Sequence, residues 1–127
     1  MYRIDTDALR EQKLTDVTIP GNVKYIGSSA FSDNKLESVS FNSGLMEIGD
    51  FAFKSNKLKF VEIPDSVIEI GGGAFLHNSL TSVAISKSVK NLRNSVFHNN
   101  QLEHVTIPPA VTWIGNNAFS NEKQDTV

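Results

Sequence analysis

The chain has 127 residues, enough for one domain with a core. Its 12 basic and 14 acidic side chains leave a net charge of −2, which argues against nucleic acid or an anionic membrane surface as an obligate partner. Cysteine is absent, which excludes disulfide staples and thiolate metal sites.

No apolar run approaches the roughly 18–20 residues needed to span a bilayer. The opening "MYRIDTDALREQ" lacks the apolar stretch of a signal peptide. From Leu14 the chain runs on a strict period of 22 residues. Leu14, Leu36, Leu58, Leu80 and Leu102 form one column, and Val17, Val39, Val61, Val83 and Val105 the next. Ile19, Phe41, Ile63, Ile85 and Ile107 follow, then Val23, Leu45, Val67, Val89 and Val111. The last apolar columns are Ile26, Ile48, Ile70, Leu92 and Ile114, then the Ala30-Phe31 pair and its repeats through Ala118-Phe119.

Each unit reads "LxxVxIPxxVxxIGxxAFxxNx". The "VxI" alternation predicts a short strand with its apolar residue inward. Pro20, Pro64 and Pro108 end that strand and turn the chain. "VxxI" predicts a second short extended piece. Gly27, Gly49, Gly71 and Gly115 follow it, where a positive φ or a close backbone approach is expected. "AFxxN" predicts one short helical turn, closed by Asn34, Asn56, Asn78 and Asn100, whose amides can bond backbone within and between coils. One such coil cannot fold alone and needs neighbours on both faces.

The ends keep the same register. Counting back 22, Ile4, Ala8 and Leu9 occupy the isoleucine, alanine and phenylalanine columns, so residues 1–13 read as an N-terminal half repeat. Its helical turn is more polar, with Asp5 or Thr6 as cap, and is placed to shield the first coil. Residues 14–123 make five full repeats, and 124–127 start a degenerate or truncated sixth, with Gln124 in the leucine column and Val127 in the valine column. The expectation is a single solenoid domain, a piece of a longer array or an array with half-repeat caps.

"IEIGGGAF", Ile68 to Phe75, has the look of a phosphate-cradling loop. Gly71 nevertheless belongs to the turn column of four of the five coils, while Gly72 and Gly73 fill positions held elsewhere by Ser28-Ser29 or Asn116-Asn117. Neither nucleotide-binding glycine pattern is completed, so the reading is a structural turn. His77, His98 and His104 are the only histidines and lack acidic neighbours at metal-ligand spacing; no metal is expected. No serine has a paired histidine and carboxylate in a recognisable context, so no catalytic residue is assigned.

Coil four departs from the pattern. Ser86 replaces proline, Arg93 glycine and Val96 alanine, and Lys87, Lys90 and Arg93 have no acid within the unit. Asp65 and Lys87 share a column, which predicts a cross-coil pair; a basic spot for an anionic glycan is the alternative. The outward positions of the first strand run Asp16, Ser38, Phe60, Ser82, His104 and Thr18, Ser40, Glu62, Ala84, Thr106. On the second extended piece the row is Tyr25, Glu47, Glu69, Asn91, Trp113. Phe60 and Trp113 are the foremost candidate binding anchors, with Tyr25, Glu62 and His104 behind them. Scattered exposed aromatics are also ordinary, and Trp113 is placed to cover the end of the array.

Units such as "LTDVTIPGNVKYIGSSAFSDNK" and "LEHVTIPPAVTWIGNNAFSN" resemble the BspA-like, or Treponema pallidum-type, leucine-rich repeats over essentially the whole chain. Many members carry cysteine near the end of the unit, where this chain has asparagine. The resemblance implies an α/β leucine-rich-repeat solenoid, right-handed and curved, of short strands and short helical turns. It also implies a bacterial surface or secreted, adhesin-like protein without catalytic residues or cofactors. Partners would be host matrix or other surface proteins, with glycans possible and nucleic acid not expected. A structural spacer or stalk, and an accessory binding module of a larger cell-surface enzyme, are the alternatives. Weak self-association through the exposed end near Trp113 and Phe119 is expected as well.

Overall fold

The computed structural model describes residues 2–120. They wind into about five turns of a parallel β-solenoid, two short strands to most turns. First strands are β2 (Asp16–Thr18), β4 (Ser38–Ser40), β6 (Phe60–Glu62) and β8 (Ser82–Ala84). Second strands are β1 (Arg3–Ile4), β3 (Tyr25–Ile26), β5 (Glu47–Ile48), β7 (Glu69–Ile70), β9 (Asn91–Leu92) and β10 (Trp113–Ile114). Every pairing is parallel and shifts the register by one repeat: Ile4 faces Ile26, Ile26 faces Ile48, and Ile48 faces Ile70. Residues of one sequence column therefore stack directly, and burial arises between coils. The start of a sixth unit, at Gln124 and Val127, lies outside the described residues.

The core follows the columns. Phe31, Phe53, Phe75, Phe97 and Phe119 form a continuous stack with centroids 5.2 to 5.8 Å apart. Beside them lie the buried Leu36, Leu58, Leu80 and Leu102 and the buried Ala30, Ala52, Ala74, Val96 and Ala118. The asparagines close each coil from inside. Asn56 accepts the Leu36 N–H at Oδ1 and donates to the Phe31 and Phe53 carbonyls at 3.0 Å each. Asn78 and Asn100 repeat this set one and two coils on. Each amide thus ties three backbone groups on two coils, which satisfies polar atoms that water cannot reach.

The expected helical turns are absent: among the described residues there is no helix, and the fold is all-β with turns rather than α/β. Around "AFxxN" the backbone includes left-handed residues four apart, for example Ser29 (φ 56°) and Asp33 (φ 59°), Gly73 (φ 64°) and His77 (φ 58°). Every second N–H then points to the next coil: Ser29 to the Asp50 carbonyl, Phe31 to Ala52, Asp33 to Lys54, at 2.8 to 2.9 Å. The residues between them close tight turns, Ala30 N–H to Gly27 and Ser32 N–H to Ser29. A single helical turn would spend its donors internally or leave them unpaired, whereas this path bonds them across the coil spacing of about 4.8 Å. Near Asp5 and Thr6, too, there is no helix to cap: the Asp5 carbonyl accepts the Ala8 N–H in an isolated turn.

The glycine column is set by space rather than by φ, since only Gly73 among the glycines has positive φ. A Cβ on Gly27 would meet the Thr6 nitrogen at 2.6 Å, and one on Gly49 would meet Gly27 at 2.7 Å. Coils pass too closely there for a side chain. In the proline column the exceptions replace ring rigidity with side-chain hydrogen bonds. Asn42 donates to the Pro20 and Val23 carbonyls, and the buried Ser86 donates to the Val67 carbonyl at 2.6 Å.

Candidate binding surfaces

Two surfaces gather the candidate residues. The first is on the first-strand face. β2 pairs with β4 and β6 pairs with β8, but β4 and β6 are neighbours without a shared ladder. Ile19 and Ile63 donate their N–H to the next coil, to Ser40 and Ala84, at 2.9 Å. Phe41 and Ile85, in the same column, make no such bond. The Phe41 ring is larger than isoleucine and packs edge-on against Phe53, 5.5 Å between centroids. At this opening lies a groove of about 480 Å³ lined by Ser38, Ser40, Phe41, Phe60, Glu62 and neighbours. Phe60, half exposed at 50%, and Glu62 stand on its rim. His104 follows the same column but sits in the fifth coil, where the first segment forms no strand, and it lies apart from this groove.

The second surface follows the second strands. Tyr25, Glu47 and Glu69 stack in register, as do Asn91 and Trp113. The Arg3 guanidinium lies over the Tyr25 ring at 5.4 Å, so Tyr25 is engaged locally. Trp113, 51% exposed, lines a groove of about 360 Å³ with Asp50, Phe51, Gly72, Leu76, Arg93, Asn94 and Ser95. Phe51, 42% exposed, is the residue that sequence reasoning missed. It sits in a turn position read as variable; its signal was an aromatic in a slot that other coils fill with Ser, Gly or Asn. The triple glycine finds its role here. A Cβ on Gly73 would strike the Phe51 ring, at 2.5 Å from Cδ1, so Gly73 is the bed on which that ring lies.

The basic residues of coil four do not form one cluster of free cations. Arg93 takes Glu69 at 2.8 and 2.9 Å through one nitrogen. Lys87 and Lys90 are exposed. The pairing expected of Lys87 with Asp65 is made by the Lys87 backbone N–H, 2.9 Å from Asp65 Oδ1, and not by its ammonium. The His77 and His98 rings lie 6.3 Å apart on adjacent coils. His77 meets the Asn99 amide, and His98 the Ser120 hydroxyl. Among the described residues no three His, Asp or Glu side chains converge as a metal would require.

Comparison with known proteins places this geometry. A family model described as the BspA type leucine rich repeat region matches residues 2–125 in six copies. Among solved structures, the pneumococcal vaccine antigen PcpA superposes with a TM-score of 0.74 and 32% identity, over 83% of this chain and 27% of that one. The leucine rich repeat protein of T. pallidum gives a TM-score of 0.55 and 27% identity over 91% of this chain and 63% of that one. A leucine-rich repeat protein of Bacteroides ovatus gives 0.55 and 23% identity, a likeness of fold, over 96% of this chain and 45% of that one. The chain thus spans about a quarter of PcpA and under two thirds of the T. pallidum protein. No curated protein matches it.

Proposed function

Since the chain belongs to the BspA-type leucine-rich-repeat family, we propose that it is a non-enzymatic, rigid scaffold for protein recognition in a bacterial surface or secreted protein. The observation that carries this is Phe60. A large aromatic is half exposed on a parallel strand face, at the rim of a groove that the interrupted ladder between β4 and β6 leaves open. A solvent-facing aromatic over a groove, with Glu62 beside it, is an anchor arrangement: the ring supplies apolar contact and the carboxylate orientation. β6, which carries Phe60 and Glu62, is paired along its length with β8, so docking on it orders little that is not already fixed. Similarity to a vaccine antigen supports the surface location.

The test is binding to immobilised extracellular-matrix proteins, stepped through salt, with Phe60→Ala alongside. Binding that resists salt and falls about tenfold or more in the variant is expected, an anchor residue contributing roughly 2 kcal/mol. Absence of binding returns the chain to the spacer reading, and binding that vanishes with salt moves the site to Lys87 and Lys90. The reading extends to weak self-association through the exposed Ile107, Trp113 and Ile114, seen as concentration-dependent sedimentation.

A further inference from the structure

The groove between Phe51 and Trp113 stands apart from the strand face and is built from different chemistry. Both aromatics lie against glycines. Phe51 lies on Gly73, and the Trp113 ring approaches Gly115, where a Cβ would come within 2.9 Å of Cη2. Phe51 holds this pose at φ 57°, a left-handed conformation that a bulky side chain rarely adopts. Lys54 Nζ lies over the Phe51 ring, 5.6 Å from its centre.

Between the rings the polar atoms are fixed by backbone. Asp50 Oδ1 accepts the Gly72 N–H at 3.0 Å, and Asn94 Oδ1 accepts the Asn116 N–H at 2.7 Å. Those bonds commit one atom of each side chain and leave Asp50 Oδ2 as an acceptor and Asn94 Nδ2 as a donor. Arg93 uses one guanidinium nitrogen on Glu69, which leaves its other N–H groups. The groove therefore has an aromatic ring at each end, Phe51 and Trp113, with acceptors and donors side by side between them and near-balanced charge. The aromatics and polar groups come from coils two to five, three spacings of about 4.8 Å, which is long enough for more than one small ring.

We infer that this groove is a glycan site, taking the apolar face of neutral pyranose rings on Phe51 and Trp113 and their hydroxyls on Asp50, Asn94 and Arg93. A sugar hydroxyl both donates and accepts, so it fits a mixed set of fixed partners. A sulfate or phosphate would need donors alone, and Asp50 and Glu69 repel it. The inference is independent of the protein-binding face around Phe60.

Trp113 is the only tryptophan in the chain, so its fluorescence reports directly on the site. The experiment titrates the protein with cellohexaose, xylohexaose, mannohexaose and chitohexaose. A saturable emission shift with at least one of them, unchanged by added salt, is expected. Asp50→Asn keeps the Oδ1 acceptor that holds the turn and converts only the free oxygen to a donor; it should weaken binding about tenfold. Phe51→Ala should weaken it by a similar factor, with circular dichroism confirming the fold, while Phe60→Ala leaves it intact. No shift with any of the four sugars overturns the inference. So does a shift that neither Asp50→Asn nor Phe51→Ala diminishes.

Discussion

The third and fifth coils carry nearly the same apolar residues at the same register, yet they are different environments. Ile70 is 1% exposed and its counterpart Ile114 is 49% exposed. Ile63 and Ile107 differ likewise, at 2% and 37%. The apolar columns do not distinguish them. What differs in the structure is coverage: coil three lies between coils two and four, while the first segment of coil five forms no strand. The hydrophobic core of this protein is a property of the interfaces between coils, and a column residue is stabilising in proportion to how completely the next coil covers it.

That contrast can be broken by one substitution made twice. Ile70→Ala removes a side chain enclosed on both sides and is expected to cost about 2–5 kcal/mol, while Ile114→Ala should cost about 1 kcal/mol or less. Urea unfolding of the two variants measures the difference; equal losses would mean that the fifth coil is as well covered as the third. Asn56→Ala comes next. It leaves the Leu36 N–H without its partner and takes a donor from the Phe31 and Phe53 carbonyls, for about 2–3 kcal/mol, each buried orphan costing about 1–3 kcal/mol. Hydrogen exchange at the Leu36 amide localises that loss to the first and second coils. A smaller effect than Asn56→Ala is expected from Gly73→Ala, about 1–2 kcal/mol, from positive φ and collision with Phe51. Pairing it with Phe51→Ala should recover the collision part and leave the backbone part, which thermal melts of the single and double variants would resolve.

Much of the fold was legible in the sequence. A strict period without insertions names the stacked columns, because identical spacing forces identical residues into register; the parallel pairing of Ile4, Ile26, Ile48 and Ile70 follows from it. The asparagine ladder was legible too, since a polar residue repeated beside an apolar column needs buried partners. The helical turn was not. "AFxxN" is too short to show a period of 3.6, and the choice between an internal helical bond and a cross-coil bond is made by the neighbouring coil. The candidate surface was partly legible. Phe60 and Glu62 were visible as outward strand residues, but the groove beside them lies where the β4 and β6 strands share no ladder. Arg93 has no acid within its own unit; its partner Glu69 comes from the coil before it.

The sequence by itself determined the repeat, its register, the core columns and the family, because those depend only on which residue types recur at which interval. The tertiary structure decided where every second backbone N–H goes, which glycine makes room for which ring, and how Phe51, Asp50, Asn94 and Trp113 come to line one groove. Those are contacts between coils, and the side-chain hydrogen bonds that tie one coil to the next join residues 19 to 25 apart in the chain. No local spacing rule reads them, because each is settled by the space that a different coil leaves.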